Sequence, residues 1–332
     1  MGLRIRFVLA AATLAGLVAL FIGGLLFSPQ KQQARAAEAP LLPIASGVQL
    51  TGVDIVRPGA AQVSLRPRDS RWEAEVDGRS FPASSERIQA LAMLLAGLQR
   101  GSLMTRDPVR SAELGLGLEQ ARLLVLHLAG RPNIALEVGE RAPSGEEDYV
   151  RVRGESAVYL VRSSLSVLLA QDLAYWFDLR VLPGEVRGET IARITVRGGV
   201  DLGSPAGVLR GNYTLQRGSG ERSGEWSLSG TSERVDAAVA ASMADSLALL
   251  EGEDFLEDAQ PALAAARPAP DRGTLEVEVA TLEGKAYSLR VRAGPEPGLA
   301  LLTAGGSPWT YLVREAQLRR AIRPTAELLA DR

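Results

Sequence analysis

The sequence contains no cysteine and only one histidine, His127. Without cysteine the chain can form no disulfide, no thiolate metal site, no thiol nucleophile and no lipid-modified N-terminal cysteine. With one histidine it cannot build a metal site from several histidines. The chain is therefore compatible with an oxidising compartment, although the lack of cysteine does not require one.

The chain also lacks an excess of positive charge and has few aromatic residues. Lysine and arginine number 37 against 39 aspartates and glutamates, which gives a formal net charge of −2, and aromatic residues make up 5%. A chain with this balance offers no overall basic field, so we expect no nucleic-acid partner. Its 332 residues leave room for about two domains of roughly 150 residues each.

The long uncharged apolar run at the N-terminus predicts a membrane segment. Arg4 and Arg6 precede it, and residues 7–27 carry no charge. About 20 apolar residues span a bilayer as a helix, whereas a cleavable signal peptide has an apolar region of about 7–15 residues. We therefore predict that residues 1–28 form a transmembrane signal anchor. The positive-inside rule then places the rest of the chain outside the cytoplasm.

The segment after the anchor keeps a second interpretation open. Residues 29–47 are rich in alanine, glutamine and proline, and we predict that they form a short tether. Ala34 and Ala36 are small residues at the spacing that a signal peptidase needs, so cleavage there would release a secreted protein. Lys31 and Arg35 also weaken the predicted orientation, because they add positive charge on the far side.

Two sequence phrases occur twice, which indicates an internal repeat. YLVR stands at 159–162 and again at 311–314, 152 positions apart, each time before a helical pattern. Upstream of each copy the letters SER begin an apolar pattern of helical spacing, at Ser85 and at Ser232. We expect each of these serines to cap its helix by accepting from a free backbone N–H group.

The order of the remaining elements supports the repeat. A predicted strand pair containing Trp72 precedes the first helix, and one containing Trp226 precedes the second. A further strand pair and a strand ending in YLVR follow each helix. Pro183 and Gly184 break the chain between the copies. The sequence therefore predicts two similar units, at residues 48–184 and 185–332.

The first unit carries a series of short phrases in a fixed order. VDIVRPG, FPASSERIQALAMLLAGLQ, ELGLG, LEVGE, YVRVRGESAVYLV and YWFDLRVLP follow one another between Val53 and Pro183. This series resembles the bacterial family called domain of unknown function 4340, and it recurs weakly as far as Leu329. The second copy lacks ELGLG and FDLRVLP, so we expect it to be degenerate.

The resemblance implies a role rather than a reaction. Proteins of this family are often encoded beside gliding-motility-type ABC transporter components, which implies an extracytoplasmic accessory subunit. The resemblance supplies no catalytic residue.

The residues that could carry chemistry have simpler structural interpretations. His127 stands in an alternating strand pattern with no nucleophile or orienting acid nearby in sequence, so we expect a structural histidine. The acids at 251–258 do not have the spacing of a calcium loop, and those at 146–148 resemble an acidic turn. Gly115 and Gly117 lack the lysine and the further glycine of a nucleotide-binding loop. We expect no catalytic residue, cofactor or metal.

Trp176 and Trp309 are the candidate partner surface, because tryptophan combines an apolar ring with a polar N–H group and favours partly wet interfaces. Packing in the core or between the repeats is the alternative, and it is the role that we expect first. Together these features predict an α+β fold with two tandem similar units of antiparallel sheet plus helices, preceded by one N-terminal transmembrane helix.

The function that we predict is that of a non-enzymatic accessory or scaffold protein of an ABC-type transport or envelope complex. It would lie in the periplasm, held in the bacterial inner membrane by residues 7–27, with an ABC transporter permease or other envelope proteins as partners. The alternatives are a secreted or periplasmic ligand- or glycan-binding protein and an envelope hydrolase with no recognisable motif.

Overall fold

The computed structural model describes residues 37–42, 49–69, 71–117, 119–218, 224–256 and 272–330. The predicted transmembrane segment at 7–27 lies outside this part of the chain. Within the described ranges no helix is both long enough and apolar enough to cross a membrane.

The chain divides into two compact units, Met1–Trp176 and Phe177–Arg332. The sequence repeat assigned residues 177–184 to the first unit. In the structure they belong to the second unit, to which backbone hydrogen bonds join them. The backbone N–H of Val181 donates to the Leu250 carbonyl, and the Leu179 carbonyl accepts from Gly252.

Among its described residues, the first unit is an antiparallel sheet accompanied by three α-helices and by two short helical segments of other types, Ala112–Leu116 and Leu173–Trp176. Its elements are β1 (Leu50–Val56), β2 (Val63–Arg68), β3 (Arg71–Val76), β4 (Arg79–Pro82), α1 (Ser85–Ala96), β5 (Ser102–Thr105), α2 (Pro108–Ser111), β6 (Arg122–Leu128), β7 (Ile134–Arg141), β8 (Glu147–Val152), β9 (Val158–Arg162) and α3 (Leu165–Leu169). The nine strands are ordered β4-β3-β2-β1-β6-β7-β8-β9-β5. Helix α1 therefore carries the chain from one edge of the sheet to the other.

Alternating side chains give this sheet one packed face. Val53 and Ile55 in β1 are buried, as are Leu124 and Leu126 in β6, while the residues between them face outwards. This alternation is typical of an antiparallel sheet with one face on the core and the other towards solvent. Helix α1 buries an apolar stripe of its own.

Among its described residues, the second unit has the same plan with one strand fewer. Its elements are β10 (Ile191–Val200), β11 (Leu209–Arg217), β12 (Trp226–Leu228), α4 (Ala237–Ala248), β13 (Asp254–Phe255), β14 (Gly273–Thr281), β15 (Ala286–Ala293), β16 (Leu299–Ala304), β17 (Thr310–Arg314), α5 (Glu315–Ala321) and α6 (Thr325–Leu328). The eight strands are ordered β12-β11-β10-β14-β15-β16-β17-β13. This is the order of the first sheet without a counterpart of β4, so the predicted α+β fold of two similar units is confirmed.

The two units match residue by residue at their YLVR strands. In the first unit Leu103 of β5 lies opposite Tyr159 of β9. In the second, Phe255 of β13 lies opposite Tyr311 of β17. Phe255 lies 152 positions after Leu103, and Tyr311 lies 152 positions after Tyr159. The duplication therefore preserves the strand register at this point.

The segments that open the units also correspond. Pro40 forms a β-bridge with Gln99, and Arg180 forms the equivalent bridge with Glu251. Gln99 and Glu251 are again 152 positions apart. FDLRVLP therefore opens the second unit and is not missing from it; its counterpart in the first unit includes residues 37–42. Part of the predicted tether is thus packed into the first unit.

The predicted helix caps were wrong in both units. The residue that caps α1 is Ser84, whose Oγ accepts from the Arg87 backbone N–H at 3.4 Å, and not Ser85. The residue that caps α4 is Asp236 and not Ser232. Ser84 and Asp236 are 152 positions apart, in agreement with the spacing of the YLVR strands.

The physical reason for the second error lies just before α4. Val235 forms a β-bridge with Leu329, and the Asp236 N–H donates to the Leu328 carbonyl. These pairings hold the backbone extended as far as Asp236, so the helix cannot begin at the SER letters.

Candidate functional site

The two tryptophans predicted as a partner surface have different environments. Trp176 is 1% exposed, and its ring meets that of Tyr175 edge-on at 5.1 Å. Trp309 is half-buried, with its ring centroid 5.4 Å from that of Phe255. Trp309 therefore retains some accessible surface, whereas Trp176 is a core residue in this structure.

His127 belongs to an ionic network that the sequence did not reveal. On the open face of the first sheet, Asp54 of β1 lies between His127 of β6 and Arg66 of β2. The Asp54 Oδ1 atom is 2.5 Å from Arg66 Nη2, and the Oδ2 atom is 2.7 Å from His127 Nε2. Burial raises the pKa of Asp54, but hydrogen bonds from His127, Ser64 and Arg66 and the Arg66 charge outweigh it and hold this pKa below its usual value. The network links three neighbouring strands.

The predicted acidic turn contains a buried carboxylate. Asp148 is fully buried and accepts from the Ser163 hydroxyl at 2.5 Å and from the Ser166 hydroxyl and backbone N–H. Because these groups stand at the start of α3, Asp148 reaches from β8 to satisfy the end of this helix. Among the described residues, no group of three or more acids and histidines is placed to hold a metal ion.

Three exposed apolar side chains of the first unit lie in β5 and just after it. Leu103 is 49% exposed, Met104 42% and Val109 71%. Strand β5 is the last of its sheet, and among the described strands it pairs only with β9. An edge strand presents unpaired backbone groups on its outer side, so apolar residues there favour pairing with another chain.

The same stretch carries positive charge. Arg100, Arg106 and Arg110 are exposed around the three apolar residues, and the Arg100 guanidinium lies 5.9 Å from the centre of the Tyr159 ring. The acid within this stretch, Asp107, uses its carboxylate to cap α2 by accepting from a backbone N–H at 2.9 Å. We call the surface formed by residues 100–110 the β5 edge.

A glycine allows this strand to lie close to β9. Gly101 has φ of +62°, in the left-handed region that favours glycine, and a Cβ atom built there would lie 1.9 Å from the Leu160 carbonyl oxygen. The chain therefore turns sharply at Gly101 and enters β5 against β9, and no other described strand pairs with β5. Just before β5, the backbone N–H groups of Arg100 and Gly101 donate to the carbonyls of Ala39 and Ala37.

The equivalent place in the second unit is closed by aromatic side chains. Phe255, the counterpart of Leu103, has no exposed surface. Its ring centroid lies 5.6 Å from that of Phe177, 5.4 Å from that of Trp309 and 5.3 Å from that of Tyr311.

The first unit has small residues where the second has this aromatic cover. Trp309 stands two residues before the tyrosine of YLVR, and the residue in that place in the first unit is Ala157. The bridge residues Pro40 and Arg180 occupy matching positions in the two units. Ala37 stands three residues before Pro40 and Phe177 three residues before Arg180, so these two residues correspond. At the two positions where the second unit has large rings over Phe255, the first unit therefore has only methyl groups.

The second unit contains a polar cleft of about 480 Å³ between α4 and α5. Ser242, Asp245 and Arg320 contribute to its lining, together with Gln317. The Gln317 Oε1 atom is buried and has no hydrogen-bond partner among the described residues.

The fold and these surfaces define a two-unit α+β protein whose first sheet ends in an exposed apolar edge strand. A model of the family described as domain of unknown function (DUF4340) matches residues 72–269, more than half of the chain. The protein belongs to this family. The match begins in β3 and ends between β13 and β14, so it includes parts of both units. No curated protein and no solved structure matches the chain.

Proposed function

We propose that this protein is a non-enzymatic accessory or scaffold component of an ABC-type transport or envelope complex. It acts on the extracytoplasmic side of the bacterial inner membrane, where residues 7–27 anchor it. The observation that carries the proposal is the β5 edge, which combines exposed apolar side chains, positive charge and an outermost strand in one short stretch.

The β5 edge has the properties of a protein-binding surface. An added strand would gain main-chain hydrogen bonds along β5, and the side chains on both strands would set its specificity. Burial of Leu103, Met104 and Val109 would contribute on the order of 1–2 kcal/mol each, because each is only partly exposed at present. Such a surface suits a partner held nearby by the same membrane.

The transport context has a different support. It comes from what the family resemblance implies, a place beside ABC transporter components, and the membrane anchor comes from the length of the uncharged N-terminal run. Fold alone does not define an activity, so the partner must be identified directly.

Site-specific crosslinking in cells of the source organism tests the proposal. A photoreactive amino acid replaces Met104 in the full-length chain, and the covalent products are identified by mass spectrometry. We expect an ABC permease or another envelope protein as the main product. The matched control carries the same probe at Leu282, which is 63% exposed in the second unit, and should not give this product. Identical products from both positions, or recovery of the chain from the cytosol, would contradict the proposal.

A second candidate function is the binding of a small polar ligand in the cleft of the second unit. The unpartnered Gln317 oxygen favours it, because a buried acceptor without a donor costs free energy that a ligand hydroxyl could recover. A thermal-shift screen of sugars tests this function. A ligand that stabilises the protein but not its Gln317→Leu variant would support it, and the absence of any such ligand would exclude it for the sugars screened.

A further inference from the structure

We infer that the β5 edge binds an extended segment of a partner protein that carries an aromatic side chain between acidic residues. This inference rests on the proposed docking function and specifies the chemistry of the occupant. Three features of the two units lead to it: the shape of the uncovered position, the charge around it and the outer side of the strand, with which no described strand pairs.

The shape of the site follows from the internal repeat. The second unit shows what covers this position when the protein supplies the cover itself: the rings of Phe177 and Trp309 close over Phe255. The first unit keeps the strand and the tyrosine, but it has Ala37 and Ala157 in place of the two rings. An aromatic side chain from a partner would restore the packing that the second unit completes internally.

The charge of the site selects acidic neighbours for that aromatic residue. Arg100, Arg106 and Arg110 are exposed along the β5 edge, and the local acid, Asp107, already binds a backbone N–H group. Complementary charge steers a partner towards such a surface and fixes its register. In the second unit the matching stretch is acidic, with Glu253 and Asp254 beside Phe255, so the positive charge is a property of the first unit alone.

The backbone of the site selects an extended segment. β5 is four residues long and ends its sheet, and its inner side is occupied by β9. A partner strand can add on the outer side and place alternate side chains over Leu103. A short strand of this kind gives modest affinity, which matches a component that the membrane already holds close to its partner.

A synthetic peptide provides the direct test. The probe is a fluorescein-labelled nonapeptide with phenylalanine at its centre, threonine on either side and glutamate at the outer positions. Fluorescence anisotropy measures its binding to the purified full-length chain, and we expect saturable micromolar binding. Replacing the central phenylalanine by alanine, or every glutamate by lysine, should weaken binding at least about tenfold.

Protein variants locate the site. Leu103→Glu should weaken binding about tenfold, and Arg106→Gln about threefold, with less salt dependence than the unmodified chain. The control Leu282→Glu changes an exposed leucine in the second unit and should leave the dissociation constant within about twofold. If Leu103→Glu does not fold, as judged by circular dichroism, Met104→Glu tests the same surface.

The outcomes separate this inference from the function on which it rests. Equal binding of the phenylalanine and alanine peptides would overturn the inference, as would undiminished binding by both glutamate variants at 103 and 104. The crosslinking result with envelope proteins would stand in that case. Concentration-dependent dimerisation in sedimentation experiments that Leu103→Glu abolishes would also overturn it, because a second copy of this chain would then be the occupant.

Discussion

Leu103 and Phe255 lie at the same position of the repeat, each opposite the tyrosine of a YLVR strand, yet Leu103 is 49% exposed and Phe255 is 0% exposed. The two pairs have the same register at this point, although β5 has a bulge between Leu103 and Thr105 that β13 does not show. The residues that stand at the matching neighbouring positions are large and aromatic in the second unit and small in the first. The duplication has preserved the strand pairing, whereas the residues that surround this position differ between the two units.

The first prediction concerns the stability of these two positions. Phe255→Ala should lower the free energy of unfolding of the second unit by about 3–5 kcal/mol, because it leaves a cavity beneath Phe177 and Trp309. Leu103→Ala should cost the first unit less than about 1 kcal/mol, because much of the side chain already contacts water. Native-state hydrogen exchange measures each unit separately. Similar losses in both variants would contradict the difference in packing.

The second prediction tests the corrected register of the repeat. Asp236→Ala should destabilise the second unit by about 1 kcal/mol, because the carboxylate accepts from the backbone N–H groups of Ala238 and Val239. Ser232→Ala is the matched control, and its effect should stay within about 0.5 kcal/mol because this exposed residue lies outside α4. Urea unfolding monitored by circular dichroism gives both values. If Ser232→Ala lowered the free energy of unfolding more than Asp236→Ala does, Ser232 would be the cap of α4, as the SER letters predicted.

The sequence predicted the order of elements better than the positions of their ends. YLVR marked the true spacing of 152, because its tyrosines lie in paired strands whose register the sheet fixes. The letters SER misled, because the same three residues begin a helix at Ser85 but stand in an extended segment at Ser232. A helix start depends on where the backbone is held, and in the second unit the bridge between Val235 and Leu329 decides it.

The β5 edge could not be predicted from the letters of its own strand. Leu103 and Met104 form a short apolar run that looks the same in sequence whether it is buried or exposed. The residues that match the covering rings of the second unit, Ala37 and Ala157, come from distant parts of the chain. The signal that could have revealed it was a comparison of the two copies at the constant spacing, which would have placed Trp309 against Ala157.

The third prediction concerns the buried carboxylate of Asp148. Asp148→Ala should lower the stability of the first unit by about 2–4 kcal/mol, because Ser163, Ser166 and a backbone N–H group of α3 lose their acceptor inside the protein. The control is Glu146→Ala, which removes an exposed ion pair with Arg162 and should cost less than about 0.5 kcal/mol. Thermal unfolding compares the two variants. Equal shifts would show that Asp148 does not support the start of α3.

The fourth prediction concerns the acid stability of the network around Asp54. The folded protein holds the pKa of Asp54 below its usual value, and the unfolded chain restores a pKa of about 3.9. The ionised carboxylate therefore stabilises the first unit fully above about pH 4–5, and this contribution is lost as the pH falls through the folded-state pKa. The Asp54→Asn variant lacks the contribution at every pH.

The measurement is the difference in free energy of unfolding between the original protein and Asp54→Asn from pH 7 to pH 3. We expect about 1–2 kcal/mol at neutral pH, because the side chain is partly buried and bonded to Arg66 and His127, and a steady decrease below about pH 4. The control Glu75→Gln removes a negative charge from an exposed residue on the same face of the sheet and should have a smaller effect at pH 7. A difference for Asp54→Asn that stayed constant down to pH 3, or that grew on acidification, would mean that the network does not favour the ionised carboxylate.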